Sequence, residues 1–395
     1  MVKSFDVVIA GAGPAGCAAA AVLAGAGLSV ALLDRAPHPR PKLCGGLLTA
    51  KSMDALHRIF GLEEATLQAE GGLFHQTTGY AFLHKGISML RGKADEPFRL
   101  VDRPPFDALL LRTATTRGAT ALNCTVTGCD PESGLVHTSQ GEFQARFIIG
   151  ADGANSTLRR SLFAAQGNPQ AQRKAWQRNL AAAIEIELPP KDFPRPVPVP
   201  ELHVGQPEAG YGWVFPGPRG PKIGICGLAR SNGDFAAIFR DFLRTLGVTN
   251  ADTLPLHGHP LPYGNALQQP ATGRLLLAGD AGGFVEPLFG EGIFYAMATG
   301  AHAASAILTA TQHTDSPAAA HAEYDRLLNA SIRPEILWSN RLRWVLFRAL
   351  QYLGATPISL FVQTAPAGLA QMVHGRRSFR LLLKKRWVWG AGVGE

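Results

Sequence analysis

Three observations predict an α/β fold organised around a Rossmann-like dinucleotide-binding unit, with a second sheet beside it. The first is the opening stretch. An apolar run, Val7 to Ala10, meets Gly11-Ala-Gly13-Pro-Ala15-Gly16, an Ala-rich segment suited to a close-packed helix, and a second apolar run ending in Asp34-Arg35. The second is that two later apolar runs also end in glycine plus a carboxylate, at Gly150-Ala-Asp152-Gly153 and at Gly279-Asp280. The third is Tyr211-Gly-Trp213-Val-Phe215-Pro216, whose aromatics alternate at period two, as in a half-buried strand outside that unit.

In the opening unit each residue type has a reason. Gly11 permits the tight turn, Gly13 lets the backbone approach a pyrophosphate, and Gly16 lets the helix lie against its strand. The helix N-terminus faces phosphate charge, and Asp34 sits about 20 residues on, where a carboxylate accepts from a ribose hydroxyl. A Pro-rich loop, Ala36 to Pro41, leads into Lys42-Leu-Cys44-Gly45-Gly, where enforced backbone gives way to exposed backbone. Ser52 to Phe60 is expected to be a short helix, and Gly71 to Leu90 a hairpin or meander. Leu100-Val-Asp102-Arg103-Pro-Pro-Phe106-Asp107 opens a helix through Arg117, with Pro in its first turn.

Strands are expected over 119–128, 135–138 and 144–149, and an irregular Pro-rich connection over 189–200. Lys222 to Leu228 should pair with the aromatic strand, and Phe235 to Leu246 is an amphipathic helix. His257 and His259 flank a glycine in what reads as a surface loop, and without further His or Cys at ligand spacing they are not metal ligands. The third Gly-Asp strand leads through Pro287-Leu-Phe-Gly290-Glu291-Gly292-Ile293 into a long small-residue helix to about Leu308. Residues 310–321 read as a linker to a helical tail.

The bulk numbers bound the class. The 395 residues can bury a large core, most readily as two lobes and an extension. No run reaches the roughly 18 uninterrupted apolar residues of a spanning helix. The chain enters its first strand almost at once, leaving no room for a signal peptide, so a cytoplasmic protein is expected. Five cysteines without Cys-x-x-Cys spacing argue against a disulfide framework or a zinc site. Net charge is +8, but from Arg326 onward eleven Lys and Arg face only Glu335 and Glu395, so the basicity belongs to the tail. That argues against a nucleic-acid groove and for a local patch.

Three strand tips bearing a carboxylate beside backbone N–H groups suit the ribose and ribityl hydroxyls of one long dinucleotide such as FAD. With Lys42-Leu-Cys44-Gly-Gly, Asp102-Arg103 with Phe106-Asp107, Gly150-Ala-Asp152-Gly-Ala-Asn-Ser, Tyr211-x-Trp213-x-Phe215-Pro216 and Gly279-Asp280-Ala with Gly290-Glu-Gly292-Ile293, the sequence resembles the FAD-dependent geranylgeranyl reductase family, within the aromatic-hydroxylase-like flavoproteins. The resemblance spans roughly the first 310 residues. It implies a Rossmann-like FAD-binding domain of the aromatic-hydroxylase/glutathione-reductase type (1–75, 100–165 and 266–315), an inserted mixed-sheet substrate domain (76–99 and 166–265) and a basic C-terminal helical region (316–395). It also implies FAD contacts at Ala15, Asp34, Gly45, Arg103, Val126, Asp280, Gly292 and Ile293. Asp34 stands where Glu is commoner in the family, and the Cys loop varies among its members.

The activity implied is reduction of carbon–carbon double bonds in an isoprenoid-like apolar substrate by hydride from reduced flavin, with FAD held non-covalently. No second complete dinucleotide fingerprint is present, so NAD(P)H visiting transiently, or a ferredoxin-like donor, is the expected reductant. An isolated alkene is a poor hydride acceptor, so an acid beside it is needed. Cys44 is the catalytic candidate, as proton donor or relay, although a thiol there could simply shape the pocket. Gly290 and Gly292 at a helix mouth would set N–H groups by the flavin pyrimidine edge. Tyr211, Trp213 and Phe215 either line an elongated apolar pocket or pack their own lobe. Two rivals share the scaffold: a flavin monooxygenase or halogenase, and a membrane-associated electron shuttle. The tail mixes Arg341, Arg343, Trp344 and Arg348, then Arg376 to Trp389, with bulky apolar residues, so it either lies on an anionic inner-membrane face or forms a helical lobe.

Overall fold

The computed structural model describes residues 2–205, 207, 210–228, 234–313, 316–354, 356 and 366–380. Its first sheet centres on Lys3–Ala10, which is parallel to Val30–Asp34 on one side and to Gly141–Gly150 on the other. Leu275–Leu277 adds in parallel beyond Gly141–Gly150, and Thr120–Asn123 beyond Val30–Asp34. Register carries the functional meaning. Ala10 lies opposite both Leu33 and Gly150, and Gly150 lies opposite Leu277. The three glycine-and-acid loops therefore leave one edge of one sheet side by side.

The opening helix, Pro14–Gly25, packs on this sheet with Cys17 to Ala21 all buried. Small side chains let the long helix Ile293–His313 cross it closely: a Cβ at Gly300 would stand 2.1 Å from the Ala15 carbonyl oxygen. Within the long helix, Ile293–Gln312 has the length and hydropathy of a membrane span, but 83 % of its apolar window is buried inside the protein, as in a core helix.

The second sheet runs His257–Leu261, Ala181–Glu187, Lys222–Leu228, Gly210–Phe215, Glu201–Val204, Leu73–His84, Ile87–Val101 and Leu47–Leu48. Its neighbours are antiparallel except Glu201–Val204 with Leu73–His84. One face is sealed by helix Phe235–Thr245, whose Phe239, Phe242 and Leu243 pack on Val214, Ile223 and Ile225. Gly212 points at that helix, so the alternate residues Tyr211, Trp213 and Phe215 turn to the opposite face.

Several expectations change here. His257–Leu261 is an edge strand rather than a loop. The hairpin expected over 71–90 extends to Val101. The Pro-rich connection contains a short 3-10 turn, Pro190–Asp192, before its strand. Residues 310–321 are not a linker, because one helix runs to His313 and the next, Pro317–Ser331, starts at Ser316-Pro317, a cap position followed by Pro in the first turn. Arg333–Leu353 and Pro366–Val373 follow. The Lys384 to Trp389 part of the basic tail lies outside the described residues.

Candidate flavin and substrate site

The strand tips of the first sheet and the inner face of the second bound one cleft of about 450 Å³. Gly11, Gly13, Ala15, Asp34, Arg35, Cys44, Gly45, Arg103, Val126, Asp152, Tyr211, Trp213, Phe215, Asp280, Gly290, Gly292 and Ile293 all line it. Gly16 and Gly279 stand behind it. A Cβ on Gly16 would fall 1.8 Å from the Gly11 carbonyl oxygen, so the residue closes the turn. Gly279 takes φ +57° and donates its N–H to Thr299 Oγ1 at 2.8 Å.

At the first tip, Asp34 braces the glycine turn. Its Oδ2 accepts from the Ala12 N–H at 2.8 Å and from Arg40 Nη2 at 3.2 Å, and its Oδ1 from the Ala36 N–H. Gly11 sits at φ +99°, where a side chain would strike the Ala151 carbonyl, whereas a Cβ on Gly13 would meet only open space. At the second tip, Asp152 Oδ2 caps helix Thr157–Ala165, accepting from the Thr157 and Leu158 N–H groups at 2.6 and 3.1 Å. Burial raises its pKa, and its Oδ1 is buried without a hydrogen-bond partner. Arg159 was not singled out in the sequence, yet it ties the second tip to the third. It donates to the Ala154 and Ala281 carbonyls and stacks 3.7 Å over Trp176. Burial pulls its pKa down to about 10, so it stays protonated at neutral pH.

The Cys loop is shaped by glycine. Gly46, at φ +74°, accepts from the Val101 N–H, and a Cβ there would press on the Val101 carbonyl; a Cβ on Gly45 would fall 2.7 Å from the Phe215 ring. Arg103 lies against the Cys44 sulfur. It is gripped by Asp107 through two bonds, of 2.8 and 2.7 Å. Burial works against its charge, but Asp107 outweighs that and raises its pKa.

Lys42 Nζ stands 3.2 Å from His259 Nε2. Burial lowers both pKa values, and the Lys42 ammonium lowers that of His259 further. His259 is thus a cleft residue rather than the surface residue expected, while His257 is exposed. Among the described residues no group of His, Cys, Asp and Glu is arranged to hold a metal.

At the mouth of helix Ile293–His313, Gly290 takes φ +69° and Tyr211 donates its hydroxyl to the Phe289 carbonyl. Between the glycines, Glu291 makes a buried 2.5 Å ion pair with Lys51 and accepts from Thr49 Oγ1 at 2.9 Å. Behind it Glu286, fully buried, accepts from the Leu288 and Phe289 N–H groups and from Ser339, and burial pushes its pKa up to about 7. In the sequence Glu291 reads only as part of a glycine-rich helix start, because its partner Thr49 lies 242 residues earlier.

The far walls are apolar. Tyr80, Phe82 and Phe98 come from the hairpin, and Leu369, Ala370 and Val373 from helix Pro366–Val373. That helix is clasped to the body. Arg376 pairs with Glu96 and Asp54, His374 accepts from the Ala50 N–H, and Phe379 is buried. Within 376–380, Ser378 and Phe379 are buried against the body, while Arg376 and Arg380 remain exposed.

A dinucleotide fits this cradle. The open space at Gly13 admits a pyrophosphate, and the unpartnered Asp152 Oδ1 and Arg40 Nε offer buried hydrogen-bonding groups. The class these features define is a flavoprotein of the aromatic-hydroxylase type, and residues 4–188 match the FAD binding domain model. The chain belongs to the FAD-dependent geranylgeranyl reductase family. It is 30% identical over 326 residues to the menaquinone reductase of Mycobacterium tuberculosis, covering 76% of each chain. It is also 30% identical over 322 residues to the geranylgeranyl diphosphate reductase of Rhodobacter capsulatus, covering 77% of this chain and 75% of that one. A solved geranylgeranyl bacteriochlorophyll reductase-like protein from Thermoplasma acidophilum superposes with a TM-score of 0.76 over 95% of this chain and 92% of its own, at 19% identity. The protein is an FAD-dependent oxidoreductase.

Proposed function

We propose that this chain reduces carbon–carbon double bonds of an isoprenoid or similarly apolar substrate. The observation that carries this reading is the continuity of the cofactor cradle with an apolar arm, walled by Tyr211, Trp213, Phe215, Tyr80, Phe82 and helix 366–373. When bound and reduced, FAD supplies the hydride. The three strand tips with Arg40, Val126 and Arg103 would hold the cofactor non-covalently, and the N–H groups after Gly290 would stabilise negative charge on its reduced ring. Aromatic walls exclude water and align a chain. Cys44, where cradle and arm meet, holds the proton that the second alkene carbon needs.

The test is to reduce the holoenzyme without oxygen and add a geranylgeranyl compound. Flavin reoxidation with a product heavier by two hydrogens per bond supports the reading. A product that gains oxygen or halide, and only in air, would make it a monooxygenase or halogenase. Reoxidation only by a protein acceptor would make it an electron shuttle. Stopped-flow reduction by NADH, NADPH or a reduced ferredoxin identifies the donor. Cys44→Ala that keeps FAD but loses turnover assigns the proton to Cys44, and full turnover removes it from the chemistry.

An anionic lipid surface is the further partner in this reading. The outer face of helix 333–353 exposes Leu337, Trp338, Trp344 and Val345 beside the exposed Arg341 and Arg348. Trp344→Glu with Val345→Glu should abolish sedimentation with phosphatidylglycerol vesicles, and unchanged sedimentation would remove the lipid surface from the proposal.

A further inference from the structure

Strand Ala181–Glu187 carries an acid in the middle of an apolar run, and the two halves of that carboxylate are engaged by different parts of the fold. Glu185 is 8 % exposed. Its Oε1 accepts the Cys44 backbone N–H at 3.0 Å, and its Oε2 accepts the Trp213 indole N–H at 3.0 Å. The two donors belong to the Cys loop and the aromatic strand, 141 residues before and 28 residues after it. Glycines remove the slack around both. Gly224 is the register partner of Glu185, and a Cβ there would lie 2.2 Å from the Trp213 ring. Gly45, next to Cys44, leaves room for Phe215. Burial raises its pKa, and Lys222 together with the two N–H donors works in the opposite direction, toward the carboxylate.

We propose that Glu185 is a positioning residue that locks Cys44 and Trp213 into one fixed relation at the floor of the cleft. It acts through those two groups. A carboxylate is needed because both partners are N–H donors. Glutamine keeps one acceptor and turns an NH₂ toward the other donor, and alanine keeps neither. The link to turnover rests on the double-bond reductase reading, but the locking itself does not.

The test uses the FAD-loaded protein without substrate. Alkylation of Cys44 by iodoacetamide is followed by peptide mass spectrometry, and tryptophan emission is recorded alongside. Glu185→Ala should speed Cys44 labelling about tenfold, the equivalent of one lost hydrogen bond to a charged acceptor, and should shift the emission. Glu185→Gln should fall between it and wild type, and serves as the main variant if the alanine form does not fold. With substrate, kcat should fall while KM moves less than about twofold, and adding Trp213→Phe to Glu185→Gln should cost less than the two single losses multiplied. Wild-type labelling and emission in both variants would overturn the proposal. Lost turnover alongside them would then make Glu185 itself the acid. If no substrate is reduced by any form, the labelling result still decides the locking.

Discussion

Lys51 and Glu291 show how much of the site rests on single side chains. Both are buried, and the ammonium also lies within 5.3 Å of the Phe294 and Tyr295 ring centres. Removing one partner strands the other in a dry surrounding, which costs about 3–5 kcal/mol. Lys51→Met should therefore lower the urea midpoint sharply, and adding Glu291→Gln should recover part of the loss. Glu286 makes a pH prediction with a definite sign. Its pKa rises from 4.5 to about 7 in the folded protein, so the native state binds more protons than the unfolded chain between those values. This group's contribution is present in acid and is lost as pH rises from about 4.5 to about 7. His302 and His374, lowered to about 4 by burial, act in the opposite direction up to about 6.5. The difference in stability between wild type and Glu286→Gln isolates the carboxyl, and it should favour wild type most at the acid end. Positions set by turn chemistry, such as Gly11 at φ +99° and Asp34 at its strand end, were legible in the sequence, although the bond from the Ala12 N–H to Asp34 was not. Glu185, Arg159 and Lys51 were not, because their partners lie far along the chain and only packing brings them together.

At the level of elements, the crossing of helices Pro14–Gly25 and Ile293–His313 decides whether the glycine turn sits correctly. Gly300→Val would force the backbones apart, since even a Cβ stands 2.1 Å from the Ala15 carbonyl oxygen. Overpacking of this kind costs about 1–3 kcal/mol. The displaced turn should also weaken FAD retention, so gel filtration should yield protein with less yellow colour per chain. The elements misread in the sequence share a physical cause. His257-Gly-His-Pro-Leu261 lacks apolar alternation and contains Pro, which an edge strand tolerates because one side needs no ladder partner. The second hairpin strand hides behind Lys93, Asp95, Glu96 and Pro97, since its pairing comes from a long neighbour rather than from its own pattern. By contrast the three glycine-and-acid strand ends combine apolar runs with turn chemistry, and each formed where expected.

Across the whole molecule, the first sheet supplies one side of the cleft and the second sheet the other, with the C-terminal helix as a separate wall. The aromatic alternation at Tyr211, Trp213 and Phe215 predicted a half-buried strand, whereas Gly210 to Val214 are all buried, because Gly212 and Val214 lie under helix Phe235–Thr245 and the aromatics turn into the cleft. Helix 366–373 packs through Ala370 and Val373 on the hairpin, and through Leu369 and Met372 on Leu288 and Phe289 just before Gly290. Under the proposed function, Ala370 and Val373, on the hairpin side of that helix, act as a ruler for the chain that enters. Ala370→Trp should shorten the longest isoprenoid turned over, measured across a C10 to C20 series, while the visible absorption of the bound flavin stays that of wild type. Substrate length and electron chemistry would then be tuned from opposite ends of one polypeptide.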